Sequence, residues 1–423
     1  MIHYKPYPAY KDSGIEWTGE VPEHWNIAQF KRLVSINNGT DHKAIETNAE
    51  NGFPVYGSGG IFAYATSYIY DGESVLLGRK GTIDKPLYVN GKFWTVDTMY
   101  WTKIMPNAYG KFCYYVATTI PFNYYATNTA LPSMTQTDLG SHMIAFPGHD
   151  EQKDIAAAID TETTRIDNLI AKKTSFIELL KEKRQAFITH AVTKGLDPDV
   201  PMKDSGVEWI GEVPEHWDVK RLRHVAMFNN SNVDKKSYED QNQVKLCNYT
   251  DVYYNEFITP DLDFMDATAS DSEVEKFRLK KGDVIITKDS EDPSDIGIPT
   301  LVMCDMDDVV CGYHLTVIKA HERDLSGFIH RSIQAHSTKA HFFVESPGIT
   351  RFGLDQDAIG DIPICVPPKE ERVVLTEAIN KETTRIDTLI DKTQRSIELL
   401  KERRSAFITA AVTGQIDLRE EKQ

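Results

Sequence analysis

Two short segments place basic and hydroxyl side chains at the end of an apolar run. In the first, Gly72-Glu73-Ser74-Val75-Leu76-Leu77 leads into Gly78-Arg79-Lys80-Gly81-Thr82. In the second, Lys281-Gly282-Asp283-Val284-Ile285-Ile286-Thr287 leads into Lys288-Asp289-Ser290 and a polar loop to Gly297. A strand that ends in such a loop offers backbone amides and cations to phosphates, and Arg or Lys at its tip can meet guanine O6 and N7. Taken alone, either loop reads sooner as a surface hairpin with incidental charge. Further contact candidates are Tyr56 and Ser58 in Tyr56-Gly57-Ser58-Gly59-Gly60, Lys92 after the turn Asn90-Gly91, and Thr350-Arg351 after Pro347-Gly348. Asn-Gly between the apolar runs Leu87-Tyr88-Val89 and Phe93-Trp94 predicts a hairpin.

Reaction chemistry is not legible in the same way. No GxxxxGK[ST] phosphate loop occurs, and Gly57-Ser58-Gly59-Gly60 fails the dinucleotide pattern because Phe62 stands at the sixth position. The one Pro-Pro, Pro367-Pro368, lies between Val366 and Lys369, so no [Asp/Asn]-Pro-Pro-[Tyr/Phe] run holds an extruded base. Asp199 with Asp234-Lys235-Lys236 has a loose nuclease-like spacing that chance explains. The five cysteines (Cys113, Cys247, Cys304, Cys311, Cys365) form no CxxC pair and read as reduced and mostly buried. Cys304, Cys311 and His314 match no common zinc spacing, so no metal site is expected.

Those loops sit in a chain of 423 residues with 41% hydrophobic residues, enough for two or three domains with cores. No apolar stretch is long enough for a membrane span and the N-terminus lacks a signal-like apolar region, so a cytoplasmic protein is expected. The net charge of −16 counts against a nucleic-acid partner. It is unevenly spread. Residues 27–147 hold nine Lys/Arg against eight Asp/Glu, and residues 218–367 hold sixteen against twenty-six.

The elements that must position the loops are repeated. Lys11–Trp25, KDSGIEWTGEVPEHW, returns as KDSGVEWIGEVPEHW at Lys203–Trp217, an offset of 203 − 11 = 192. Glu162–Thr193 returns at Glu382–Thr413, an offset of 382 − 162 = 220. The segments between, about 27–147 and 218–367, share no obvious sequence. The chain is a duplicated frame around two dissimilar inserts, which suggests one task performed on two targets. The second block reads as helix, with an apolar seam of Ile159, Ile166, Leu180 and Phe187 beside Ile170 and Ile177, repeated as Ile379, Ile386, Leu400 and Phe407 beside Ile390 and Ile397. Lys173 and Arg184 interrupt the rows. Pro147-Gly148 and Pro367-Pro368 precede the helices, and Gly195 and Gly414 follow them. About 45 residues make a helix of roughly 65–70 Å, and the simplest partner for each seam is the other, antiparallel. The expected fold is α+β: two globular mixed domains separated by two long antiparallel coiled-coil helices, pseudo-twofold symmetric by duplication. Boundaries fall at 1–147, 148–195, 196–367 and 368–423.

This organisation resembles the specificity (S) subunit of type I restriction–modification systems. The resemblance covers essentially the whole chain. It rests on the ETTRID…IELLKE-R-AFIT-AVT helices and the SG-EW-GE-VPEHW segments, each present twice. It rests also on Val75–Thr82 with Phe93–Thr98, and on Gly282–Thr287 with Gly353-Leu354 before Ile362-Pro363. The resemblance implies that each insert is a target recognition domain reading half of a bipartite site in double-stranded DNA. It implies that the helices fix the gap and dock two methyltransferase (M) subunits, and that two restriction (R) subunits join the complex. It implies no catalysis and no cofactor on this chain, with S-adenosylmethionine, ATP and Mg on the partners. Two other readings remain open: a nuclease or methyltransferase with an unrecognised motif, active without partners, and a helical scaffold whose inserts bind proteins.

Overall fold

The computed structural model describes residues 5–125 and 132–419. Two α/β domains are linked by two long antiparallel helices, His149–Lys194 of 46 residues and Lys369–Val412 of 44. Their sequences lack interior proline, and acidic residues stand in each first turn (Asp150, Glu151; Glu370, Glu371), where they favour the positive end of the helix dipole. Gly195 and Gly414 follow the two helices at φ +74° and +73°, the left-handed conformation that glycine adopts without a Cβ penalty. Along the seam Ile159, Ile166, Ile177, Leu180, Ile379, Ile386, Ile397 and Phe407 are buried. Ile170, Phe187, Ile390 and Leu400 are half-buried. Arg184, an interruption in the sequence pattern, bonds Asp387 of the second helix at 2.9 Å and also Glu256. Arg403 and Arg404 reach Glu162 and Asp167 of the first helix at 3.1 and 2.9 Å.

Contacts divide the chain into one unit of residues 1–174 with 395–423 and another of 175–394. In the first unit a sheet runs in the order Leu87–Val89, Ser74–Gly78, Met99–Ile104, Val34–Asn38, all neighbours antiparallel. Its core includes Val75, Leu77, Phe112 and Val116, with Ile155 and Ile159 from one long helix and Ile408 and Ala411 from the other. A second sheet of this unit carries Glu46–Thr47, Gly60–Ala65, Phe53–Gly57, Lys92–Thr95 and Tyr70–Asp71.

In the second unit the sheet order is Ala226–Asn230, Leu315–Ala320, Val284–Thr287, Pro299–Val302, Phe257–Ile258. A separate three-stranded sheet places Asn242–Cys247 between Met265–Ala269 and Val309–Cys311. The dissimilar inserts therefore share a core. Met99–Ile104 lies between Ser74–Gly78 and Val34–Asn38 as Leu315–Ala320 lies between Val284–Thr287 and Ala226–Asn230, antiparallel throughout. They differ in the sheet added to that core.

The hairpin expected at Asn90-Gly91 is not formed by the strands that flank it. Leu87–Val89 pairs with Ser74–Gly78, whereas Lys92–Thr95 pairs in parallel with Phe53–Gly57 and antiparallel with Tyr70–Asp71. Gly91 exchanges backbone hydrogen bonds with Gly72 at 3.2 Å instead. The turn is a crossing between two sheets, and it puts Val89 and Phe93 into one small core with Leu76 and Met99. Burial of those side chains outweighs the local preference for a hairpin.

Candidate nucleic-acid interface

The repeated Trp segments build the frame on which the loops rest. Tyr10–Asp12 pairs with Glu20–Pro22, and Met202–Asp204 pairs with Glu212–Pro214 in the corresponding register. Each hairpin delivers a buried tryptophan to the first turn of a long helix. The Trp25 indole N–H donates to Glu151 Oε1 at 3.1 Å, and His24 Nε2 lies 2.9 Å from Glu151 Oε2. In the other unit Trp217 donates to Glu371 Oε1 at 3.1 Å, and His216 Nε2 lies 2.6 Å from Glu371 Oε2. Glu151 and Glu371 are 220 apart, the offset of the helical repeat, yet stand upstream of the near-identical block, so reading the repeat alone misses them. The same tryptophans close on the opposite helix ends. A Cβ at Gly414 would meet Pro22 and Trp25, and one at Gly195 would meet Trp217 and Pro214.

In the first unit, Arg79, Lys80 and Thr82 lie together on the loop after Ser74–Gly78. Lys80 and Thr82 are exposed and Arg79 is half-buried. Arg79 Nη1 donates to the Asp97 carbonyl at 3.2 Å, and the guanidinium carbon stands 5.9 Å from the centre of the Tyr100 ring. The other candidates belong to the second sheet of this unit. Lys92 is exposed over the rings of Tyr68 and Phe53, at 4.8 and 5.6 Å. Ser58 is at the turn between Phe53–Gly57 and Gly60–Ala65, next to the exposed Ile61 and Phe62. Tyr56 is half-buried, edge-on to Phe93 at 6.2 Å, and burial raises its phenol pKa.

In the second unit the candidates converge. Lys288, Ser290 and Arg351 meet where Asp289-Ser290 pairs with Phe352-Gly353. Thr350 is exposed beside them. Arg351 Nη2 donates to Asp289 Oδ1 at 2.7 Å, and His314 Nδ1 lies 2.5 Å from the same oxygen. Lys288 Nζ is 3.7 Å from Asp289 Oδ2 and stands over the Tyr313 ring at 5.6 Å. Burial alone would raise the Asp289 pKa, but hydrogen bonds from His314 and Arg351 outweigh it and hold the carboxyl below its usual range. Sequence reading selects Lys288, Ser290 and Arg351 as contacts and weighs His314 only as a zinc ligand that fits no spacing; its place beside Asp289 comes through strand pairing. Among the described residues no group of three or more metal-ligating side chains gathers. None of their helices is long and apolar enough to cross a membrane.

A family model described as the type I restriction modification DNA specificity domain matches residues 22–179. The chain is similar to the type I restriction enzyme EcoprrI specificity subunit of Escherichia coli, at 24% identity over 189 residues, 41% of this chain and 47% of that protein. It is similar also to the type I restriction enzyme MjaVIII specificity subunit of Methanocaldococcus jannaschii, at 23% identity over 297 residues, 68% of this chain and 65% of that one. The matches thus span about half to two thirds of the relatives' own length. Among solved structures, a chain from a study of complex assembly and conformational transition of the type I R-M system superposes with a TM-score of 0.69 at 12% identity, covering 93% of this chain and 98% of that one. The HsdS subunit of Thermoanaerobacter tengcongensis superposes with a TM-score of 0.54 at 12% identity, covering 94% and 98%. At such identities the structural likeness is one of fold. The duplicated helical frame, the two domains of common core and the match over residues 22–179 make the chain similar, in sequence and in fold, to the specificity subunits of type I restriction–modification systems.

Proposed function

We propose that this chain reads a bipartite site in double-stranded DNA and performs no reaction itself. The inserts within 1–147 and 196–367 each recognise one half, and the long helices at 148–195 and 368–423 fix the unread gap and dock two methyltransferase subunits. Two restriction subunits complete the assembly. S-adenosylmethionine, ATP and Mg belong to those partners. The observation that carries this reading is the duplication itself: two domains have the same strand core and different added sheets, each seated on an equivalent Trp–Glu junction. A frame kept alike and readers made different suit one reaction addressed to two unlike half-sites.

Arg79, Lys80, Thr82, Lys92, Tyr56 and Ser58 are assigned to the first half-site, and Lys288, Ser290, Thr350 and Arg351 to the second. The excess of acid in residues 218–367 implies that much of the phosphate contact comes from the methyltransferase subunits. The deciding experiment is to map methylated adenines in cells that express the chain with its cognate methyltransferase subunit. A two-part motif with a fixed gap is expected. No new methylation from a stable complex would reject the reading.

A further inference from the structure

The loops after Ser74–Gly78 and Val284–Thr287 follow one backbone scheme. Arg79 N–H donates to the Thr98 carbonyl at 2.9 Å, and Met134 N–H to the Arg79 carbonyl at 3.1 Å. Lys288 N–H donates to the His314 carbonyl at 2.9 Å, and Leu354 N–H to the Lys288 carbonyl at 2.9 Å. One residue on, Lys80 bridges Ser133 while Asp289 pairs with Gly353. The partner residues Ser133 and Met134 lie 220 positions before Gly353 and Leu354, the offset of the helical repeat. Arg79 and Lys288 thus occupy the same place in the two readers, and Lys80 and Asp289 the next.

At that next place the charge is reversed, yet the carboxylate is not what the surface presents. The Asp289 side chain is 15% exposed and is covered by Lys288, His314 and Arg351; the Arg351 side chain is 58% exposed. Among the described residues Arg351 is held at Nη2, which also lies 2.9 and 3.1 Å from the two His314 ring nitrogens. His314 itself is the one non-glycine residue at positive φ among the described residues, +71°. A side chain rarely adopts that conformation unless its surroundings require it. Here it presents the ring to Asp289 and Arg351 while the His314 carbonyl serves Lys288.

We propose that Arg351 is the specificity-determining side chain of the second half-site, with Asp289 and His314 as positioning residues that aim its guanidinium at a base edge. The proposal rests on the DNA-reading function above. Its chemical target is guanine, whose O6 and N7 accept a guanidinium in two parallel hydrogen bonds. A grip at Nη2 fixes the direction of the fork while most of the side chain remains accessible. In the first half Lys80, not a carboxylate, holds the equivalent place, so cations are presented there without an intermediary.

The test uses the full chain with its modification subunits, and compares the wild-type methylation motif with those of Arg351→Ala, Arg351→Lys and Asp289→Asn. The wild-type motif should contain a guanine that all three variants relax, with relative modification of sites bearing another base there rising about tenfold or more. The other half of the motif and the gap should be unchanged. Lysine should fail because a point charge lacks the fork. Full discrimination with Arg351→Lys, an unchanged motif in Asp289→Asn, or an even loss at every site in Arg351→Ala would each overturn the assignment. If Asp289→Asn abolishes modification outright, the Arg351 variants decide, since that side chain is exposed. Failure of the underlying function is distinguishable: it would show as a wild type that yields no two-part motif at all.

Discussion

Arg331 is 1% exposed, and its guanidinium donates to Glu256 and, at 3.0 and 2.6 Å, to Asn380 Oδ1 of the second long helix. Burial would raise the Glu256 pKa, but Arg331 and Arg184 together hold that carboxyl low. Breaking a buried pair leaves a charge without its partner, so Arg331→Ala should cost about 3–5 kcal/mol, and a hydrophobic residue of similar volume such as Arg331→Met less. Urea denaturation monitored by tryptophan fluorescence measures both; equal losses would contradict the account. A second test concerns His142, which stacks on Trp17 with ring centres 5.2 Å apart and lies 2.8 Å from the Tyr125 hydroxyl. Burial pushes its pKa down to about 4. The unfolded chain, with a histidine pKa near ~6.5, binds that proton more readily, so stability present above 6.5 is lost as pH falls toward 4. His142→Phe keeps a ring on Trp17 and removes the proton site. It should be less stable than wild type at pH 7.5 and approach or pass it at pH 4.5; a gap constant with pH would refute this. Neither Glu256 nor His142 is legible as sequence, because their partners lie on other elements and only packing brings them together.

The long helices show what sequence reads well. Their period, their proline-free interiors and the glycine after each are local properties, and the elements start and stop where those signals stand. The crossing at Asn90-Gly91 shows the limit. Its local chemistry specifies a turn, but which strands it joins depends on where Val89 and Phe93 find a core. The common three-strand core of the inserts is hidden for the same reason, since alternating burial can be met by many sequences. The junction of hairpin and helix end allows a test at this scale. Gly414 and Gly206 both have φ +73°, but a Cβ at Gly414 would lie 2.3 Å from Pro22 Cδ, whereas one at Gly206 meets nothing within 4 Å. Alanine at either pays a left-handed strain of about 1–2 kcal/mol. Gly414→Ala adds a clash worth about 1–3 kcal/mol more. Thermal melting of the two variants should rank Gly414→Ala well below Gly206→Ala, and indistinguishable melting would mean that the helix end does not seat on the hairpin as described.

At the scale of the whole chain, duplication is readable because the frame is kept nearly identical, whereas on the proposed reading the targets are not, since no local signature marks the loop side chains that would meet them. The frame also carries the prediction that separates a spacer from a scaffold. Each long helix passes from one unit to the other, near Thr174 in the first and Gln394 in the second. Seven residues inserted after both positions keep the heptad of the apolar seam, and so preserve its pairing. They lengthen each helix by about 10.5 Å, close to three base pairs at 3.4 Å. If helix length fixes the gap, the methylation motif of the lengthened chain should keep both half-sites and widen the unread interval by about three base pairs. Insertion into one helix alone breaks the pairing of equal lengths and should abolish modification. A scaffold that merely gathers subunits has no reason to transmit helix length to DNA, so both half-sites at the original gap would remove the spacer role while leaving the two readers in place.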